Sequence, residues 1–142
     1  MMHNEKTIRL SDYQALAEFR YQIRRFVRFS EQRARSAGLE PQHYQLLLAI
    51  KGMPEGKRVT VGELAERLQL QHHSTVELID RLSDRGFVER QRDEEDQRRV
   101  LISVTSTGEQ ILQELAAMSL TELRSTGPML VQALDTLLKE KV

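Results

Sequence analysis

The chain contains no cysteine among its 142 residues. That absence excludes a disulfide framework, a thiol nucleophile and a zinc site with cysteine ligands. No apolar run approaches the roughly 20 residues that a transmembrane helix needs. The first residues, MMHNEKTIRLSDYQ, also lack the apolar segment of a signal peptide. We therefore expect a cytoplasmic protein with no membrane partner.

The chain also lacks net charge, because 21 basic side chains balance 21 acidic ones. Residues 1–37 carry 8 basic and 4 acidic side chains, whereas residues 55–105 carry 9 basic and 11 acidic ones. The second segment therefore has no bulk positive field that would attract a polyanion. Any nucleic-acid binding there must depend on individually placed arginines.

Features of an enzyme are missing as well. The sequence has no nucleophile paired with a base, no glycine-rich phosphate loop and no set of metal ligands. The histidines His3, His43, His72 and His73 have no spacing that supports a metal cluster. His43 precedes an apolar run, and we interpret it as a surface or hydrogen-bonded residue. We predict a non-enzymatic protein that needs no metal and no other cofactor.

Helical periodicity dominates both ends of the chain. From Ser11 to about Ser36, apolar residues recur at helical spacing, and Gly38 follows as a stop. Six arginines and one acid, Glu31, lie between Arg20 and Arg35. They indicate either a solvated helix face or a face that contacts phosphates.

Two further helices are expected at the C-terminal end. The first would begin after Thr105 or Thr107, and the second at Pro128. The intervening sequence Ser-Thr-Gly-Pro, residues 125–128, predicts a break between them. These helices carry more apolar surface than a small domain needs, which suggests either a dimer interface or additional core.

The central stretch from Thr60 to Thr105 reads TVGELAERLQLQHHSTVELIDRLSDRGFVERQRDEEDQRRVLISVT. Thr60 with Glu63, and Ser74 with Glu77, have the spacing of capping boxes, so two short helices flank a tight turn. The second helix could begin two or three residues before Ser74. Residues 87–92 and 100–104 then predict a hairpin. Two short helices and a hairpin form a winged helix-turn-helix, whose second helix enters the major groove of DNA.

The polar residues of this stretch are the candidate site. On the second helix we expect DNA contacts from His72, His73, Ser74, Thr75, Glu77 and Arg81. On the hairpin, or wing, the candidates are Arg92, Asp96, Arg98 and Arg99. An Asp96–Arg98 pair would aim a guanidinium into a narrow minor groove. The acids at residues 93–96 would repel phosphates, and a solvated surface hairpin is the alternative interpretation.

The order of these elements closely resembles the MarR family of bacterial transcriptional regulators. The most specific parts are DRLSDRGFVER, the D-x-R pattern at Asp96 and Arg98, and the V-T start of the next helix. The resemblance implies a mainly α fold with a small β-hairpin wing. It implies one MarR-type domain over residues 1–142, with a winged helix-turn-helix at 38–105 and helical dimerisation segments at 1–37 and 106–142.

The resemblance also implies a function. Such proteins bind double-stranded DNA as homodimers on palindromic operators, often as repressors, and many release it when a small aromatic or phenolic effector binds. The peroxide-sensing branch relies on a reactive cysteine, which this chain lacks. Glu77 stands where relatives often carry a basic or small polar residue, and it would either accept a hydrogen bond from cytosine or weaken binding. The alternative is a ligand-independent helical interaction protein without a DNA role.

Overall fold

The predicted mainly helical fold with a two-stranded hairpin is confirmed. A computed structural model describes residues 7–139, so His3 lies outside the described residues. The elements in chain order are α1 Leu10–Ser36, α2 Pro41–Lys51, α3 Val61–Leu68, α4 His72–Asp84, β1 Val88–Arg92, β2 Val100–Val104 and α5 Ser106–Leu138. Within residues 7–139, no helix has both the length and the apolar content needed to cross a bilayer.

The chain divides into two compact units, of which we call residues 31–117 the head and the described parts of residues 1–30 and 118–142 the terminal unit. In the head, α2 packs against α3, α4 and β2. The side chains that fill its core are almost wholly buried; they include Leu46, Leu47, Leu64, Ile79 and Leu82. Leu48 lies in the same helix as Leu46 and Leu47 but is 42% exposed. One side chain in the apolar run of α2 is therefore exposed to solvent.

Several helix ends follow the signals in the sequence. Gly38 and Gly86 both adopt the left-handed backbone conformation, with φ of 85° and 77°, that lets them end α1 and α4. The Thr60 hydroxyl accepts a hydrogen bond from the Glu63 N–H at 3.2 Å and so caps α3. These local signals set the lengths of the short helices that form the head.

Other helix starts differ from the expectation. Helix α1 begins at Leu10 rather than at Ser11, and the Asp12 carboxylate accepts the Arg9 N–H at 2.9 Å. Helix α4 begins at His72, so the earlier of its two expected starts is the observed one, with Gln71 as a cap residue that makes no side-chain bond. Ser74 therefore belongs to the first helical turn rather than to the cap.

The predicted break at residues 125–128 was wrong, because α5 runs without interruption from Ser106 to Leu138 with Pro128 inside it. A proline removes one helical hydrogen bond and crowds the preceding turn. The Thr126 hydroxyl nevertheless donates to the Glu122 carbonyl at 3.0 Å, a bond within the helix. Strong helix formers on both sides, such as Leu123 and Leu130, allow the helix to continue past the proline.

The terminal unit leaves much apolar surface uncovered. Its exposed large apolar side chains are Ile8, Leu10, Tyr13, Leu16, Tyr21, Ile23, Val27, Leu120, Met129, Val131, Leu134 and Leu138. Monomeric proteins rarely leave so much apolar surface contiguous along their helices, and such surfaces usually contact another molecule. This unit therefore has the character of an interface.

Candidate nucleic-acid interface

The turn between α3 and α4 sets the direction of α4, the helix with the candidate DNA contacts. Gln69 ends α3 in the left-handed conformation, with φ of 54°, which costs a non-glycine residue free energy. Its side chain offsets part of that cost by donating to the Glu66 carbonyl at 2.8 Å. The Leu70 N–H donates to the Ala65 carbonyl at 3.0 Å. The turn is thus closed by local hydrogen bonds, and α4 follows after only one more residue.

Helix α4 has a buried face and an exposed face. Leu78, Ile79 and Leu82 are buried in the head. The exposed candidates are His72, His73, Glu77 and Arg81, and Ser74 is half-buried. Four of the six predicted helix residues are therefore exposed to solvent.

Thr75 does not belong to that surface. Its side chain is fully buried, and its hydroxyl donates to the Gln71 carbonyl at 3.0 Å. Thr75 precedes Leu78 by three residues and Ile79 by four, so helical geometry places all three on the same inward face. The prediction that Thr75 contacts DNA is therefore corrected to a structural role in the helix.

The hairpin is held against α4 by contacts from several residues. Strands β1 and β2 pair antiparallel, with Val88 opposite Val104 and Arg92 opposite Val100. Arg90 of β1 forms an ion pair with Asp80 of α4. The Thr105 hydroxyl donates to the Gly86 carbonyl at 2.6 Å and accepts the Gly108 N–H at 3.1 Å. The wing therefore has a fixed position relative to α4.

The wing loop presents an exposed guanidinium that is paired with a carboxylate. Arg98 is 91% exposed, and its Nε donates to Asp96 Oδ1 at 3.1 Å. The Arg98 N–H donates to the same oxygen at 3.0 Å. These two bonds, with the nearby charges of Arg99 and Arg58, lower the pKa of Asp96. The predicted Asp96–Arg98 pair is therefore present, and its carboxylate stays ionised as the guanidinium's counter-ion.

The neighbouring arginines are more constrained. Arg92 Nη1 donates to the Gln97 carbonyl at 2.8 Å, which braces the wing loop. Arg99 Nε lies 3.5 Å from Asp96 Oδ2, and the side chain is 49% exposed. The Arg98 side chain is therefore more exposed than that of Arg99, and Arg92 is tied to the backbone of the loop.

A family model for the MarR family matches residues 37–99, which include α2, α3, α4, β1 and the loop of the wing. The organic hydroperoxide resistance transcriptional regulator of Bacillus subtilis is 37% identical over 68 residues, 48% of this chain and 44% of that protein. The uncharacterized HTH-type transcriptional regulator YcgE of B. subtilis is 32% identical over 101 residues, 71% of this chain and 64% of that protein. The chain belongs to the MarR family.

Solved MarR-family structures share this fold. The match to AbsC of Streptomyces coelicolor spans 94% of this chain and 93% of AbsC, with a TM-score of 0.73 at 20% identity. The match to a Staphylococcus aureus MepR mutant bound to an oligodeoxyribonucleotide spans 90% of this chain and 85% of MepR. Its TM-score is 0.63 at 20% identity. At this identity the likeness is one of fold. In sequence, the chain spans about half the length of the curated relatives it matches.

Two features of this MarR-family head were not anticipated. The acids of the wing do not all face solvent, because Asp93 is 2% exposed and forms an ion pair with Arg58 at 3.0 Å. Arg58 also pairs with Glu95. No local pattern links Arg58 to the wing, because the two lie far apart in sequence.

The second feature is His43, which is buried rather than at the surface. Its Nδ1 has no hydrogen-bond partner within residues 7–139. Burial lowers its pKa, the positive charges of Arg85 and Arg81 lower it further, and Glu40 opposes them. Nor does the described part of the chain contain a group of three or more His, Cys, Asp or Glu that could hold a metal. His43 is therefore a neutral core residue.

Proposed function

We propose that this MarR-family protein is a sequence-specific DNA-binding transcriptional regulator. The observation that carries the proposal is the pairing of an exposed polar face on α4 with an exposed, carboxylate-held guanidinium on the wing. A helix in the major groove and an arginine in the adjacent minor groove require that combination. The oligodeoxyribonucleotide on MepR, a protein of the same fold, supports the same assignment.

Each side of this surface has a distinct role in the proposal. Arg81 donates to guanine edges, and Glu77 accepts from cytosine N4, in the major groove. His73 and Ser74 lie near the start of α4, where base edges and phosphates are within reach. Arg98 enters the minor groove, where A·T-rich segments are narrow and most negative.

The acting species is a homodimer on a palindromic operator. Residues 38–105 form its DNA-binding region, and the helical segments 1–37 and 106–142 form its dimerisation region. The exposed apolar side chains of the terminal unit, such as Leu16 and Val131, support this assignment. Two heads then meet half-sites one helical turn apart, about 34 Å. Bound over a promoter, such a dimer represses transcription by excluding the polymerase.

A small aromatic or phenolic acid releases the dimer from DNA. The supporting observation is a groove of about 360 Å³ in the head, lined by Leu48, Lys51, Glu109, Leu112, Gln113 and Ala116. Lys51 pairs there with Glu109 and would exchange that partner for the acid's carboxylate. Leu48 and Leu112 would contact the ring. Release requires that the acid bind the DNA-free arrangement more tightly than the DNA-bound one.

The test begins by selecting duplexes from a random library with the parent protein and measuring affinity for the enriched sequence by fluorescence anisotropy. Arg98→Ala should weaken binding by roughly tenfold to a hundredfold, the loss expected for one base-reading arginine. Much of that loss should disappear when the A·T flanks are replaced by G·C pairs. Arg99→Ala removes a neighbouring charge from the same loop and should cost less.

Two outcomes would contradict the proposal. Equal affinities for the parent and Arg98→Ala would refute the role of the wing. Failure to enrich any duplex at low salt would instead support a helical interaction protein without a DNA role. The same titration, repeated with a panel of aromatic carboxylates, tests release by a ligand.

A further inference from the structure

We propose that Arg58 is a positioning residue that holds the wing in its DNA-binding shape and neutralises two of its acids. This inference rests on the proposed function. Arg58 lies in the connector between α2 and α3, outside both DNA-contacting elements. Its guanidinium nevertheless reaches Asp93 and Glu95 of the wing loop.

The contact with Asp93 is electrostatic. Arg58 Nη1 lies 3.0 Å from Asp93 Oδ2, and the carboxylate is only 3% exposed. Within residues 7–139 this buried oxygen accepts no hydrogen bond, so the ion pair is its compensating contact. A buried carboxylate without a compensating cation is strongly unfavourable. Asp93 therefore depends on the charge of Arg58.

The backbone around Arg58 fixes the position of that charge. The Ile102 N–H of β2 donates to the Val59 carbonyl at 2.9 Å, so the connector lies along the edge of the hairpin. The Thr60 N–H donates to the Arg58 carbonyl at 3.0 Å, and Thr60 caps α3. Arg58 is thus held between the hairpin and the first helix of the helix-turn-helix.

A short series of hydrogen bonds connects Asp93 to the guanidinium of Arg98. The Asp93 side chain accepts the Glu95 N–H at 2.9 Å, and its own N–H donates to the Arg99 carbonyl at 3.1 Å. The Arg99 N–H donates to the Asp96 carbonyl at 2.9 Å, and the Asp96 carboxylate holds Arg98. The conformation that presents Arg98 therefore depends on the placement of Asp93.

Arg58 also changes the charge that the wing loop presents to DNA. Residues 93–96 are all acidic, and an uncompensated acidic loop would be repelled by DNA phosphates. Arg58 pairs with two of these residues, and Asp96 pairs with Arg98. Glu94 is then the acid of the loop that takes no part in these pairs. The wing is therefore far less negative towards DNA than its sequence indicates.

The experiment compares Arg58→Gln with Lys57→Gln on the duplex selected by the parent protein. Lys57 is the adjacent cation, is 48% exposed, and lies 3.5 Å from Glu63 of α3 rather than near the wing. Both variants lose one positive charge. We expect Arg58→Gln to weaken binding about tenfold, the coupling typical of contacting residues, and Lys57→Gln to weaken it less than about threefold.

A double-mutant cycle separates positioning from direct contact. If Arg58 acts through the wing arginine, Arg58→Gln should cost little in a protein that already carries Arg98→Ala. If Arg58 bound a phosphate itself, the two losses would multiply, and the proposal would be overturned. Asp93→Asn should restore part of the affinity of Arg58→Gln, because a neutral amide needs no cation.

The outcomes distinguish this inference from the proposed function. A parent protein that enriches no duplex refutes the function itself. A parent that binds, with Arg58→Gln equal to Lys57→Gln, refutes only the role of Arg58. Thermal unfolding checks that each variant folds. If Arg58→Gln does not fold, Arg58→Lys enters the same cycle, because it retains the charge but cannot contact both carboxylates in the same way.

Discussion

The two units of this MarR-family protein treat apolar side chains in opposite ways. In the head, large apolar residues are buried or half-buried, and among those described Leu48 is the exposed exception. In the terminal unit, Leu10, Val131 and Leu138 are each at least 66% exposed. A unit that buries its own core is stable by itself, whereas one that exposes its apolar face gains stability from a partner. The contrast supports the proposal that the head recognises DNA and the terminal unit associates with a second copy.

Two glycines of the same helix offer the strongest test of this contrast. A Cβ at Gly108, in the head, would lie 2.2 Å from the Phe87 carbonyl oxygen and 2.8 Å from Val104 Cγ1. Because that oxygen belongs to the backbone, Gly108→Ala should lower the free energy of unfolding by about 3 kcal/mol. A Cβ at Gly127, in the terminal unit, meets no atom within 4 Å. Gly127→Ala should instead stabilise the helix by up to about 1 kcal/mol.

Urea denaturation followed by circular dichroism measures both changes. A similar loss of stability in both variants would mean that the two parts of α5 are equally packed. That result would remove the contrast between the units.

A charge on the terminal unit tests its role in association. Val131 is 66% exposed, so Val131→Glu should change the stability of the single chain little. Burying that carboxylate in a dimer interface should weaken association by about 2 kcal/mol, or roughly thirtyfold in the dissociation constant. Sedimentation equilibrium measures the change, and Ser125→Glu, at an exposed polar position of α5, is the control. Unchanged association of Val131→Glu would place the interface elsewhere.

The smallest expected effect concerns the core of the head. Burial holds the pKa of His43 below its usual value of about 6.5. Between the folded-state pKa and about 6.5, the unfolded chain binds more protons than the folded one, so stability falls as the pH falls through that window. His43→Gln should remove this contribution. The urea midpoints of the parent and of His43→Gln, measured at several pH values, give the size of this contribution. Identical pH profiles for the two proteins would exclude a buried neutral histidine.

Local signals in the sequence predicted much of the fold. Thr60 caps α3, and Gly38 and Gly86 end α1 and α4. The alternation of apolar residues around Ile102 predicted β2. Each of these signals involves residues within a few positions of one another. The inward position of Thr75 was also readable from helical spacing, although its polar character favoured the wrong face.

Features that depend on distant residues were not predictable in this way. The pairing of Arg58 with Asp93 joins a connector to a hairpin loop, and only the folded chain brings them together. The burial of His43 likewise depends on how α2 packs in the head. At Pro128 a local signal was misleading, because the glycine and proline that predicted a break lie within an uninterrupted α5.

The charge compensation of the wing has a consequence for how such a protein searches a genome. Non-specific binding depends almost entirely on counter-ion release by basic side chains, and the stretch 55–105 has 9 basic against 11 acidic residues. With its acids neutralised locally and little positive surplus, a DNA-binding head of this kind gains little from arbitrary sequences. Under the proposed function, few copies would be retained on the very large excess of competing sites, so even a modest operator affinity would give high occupancy.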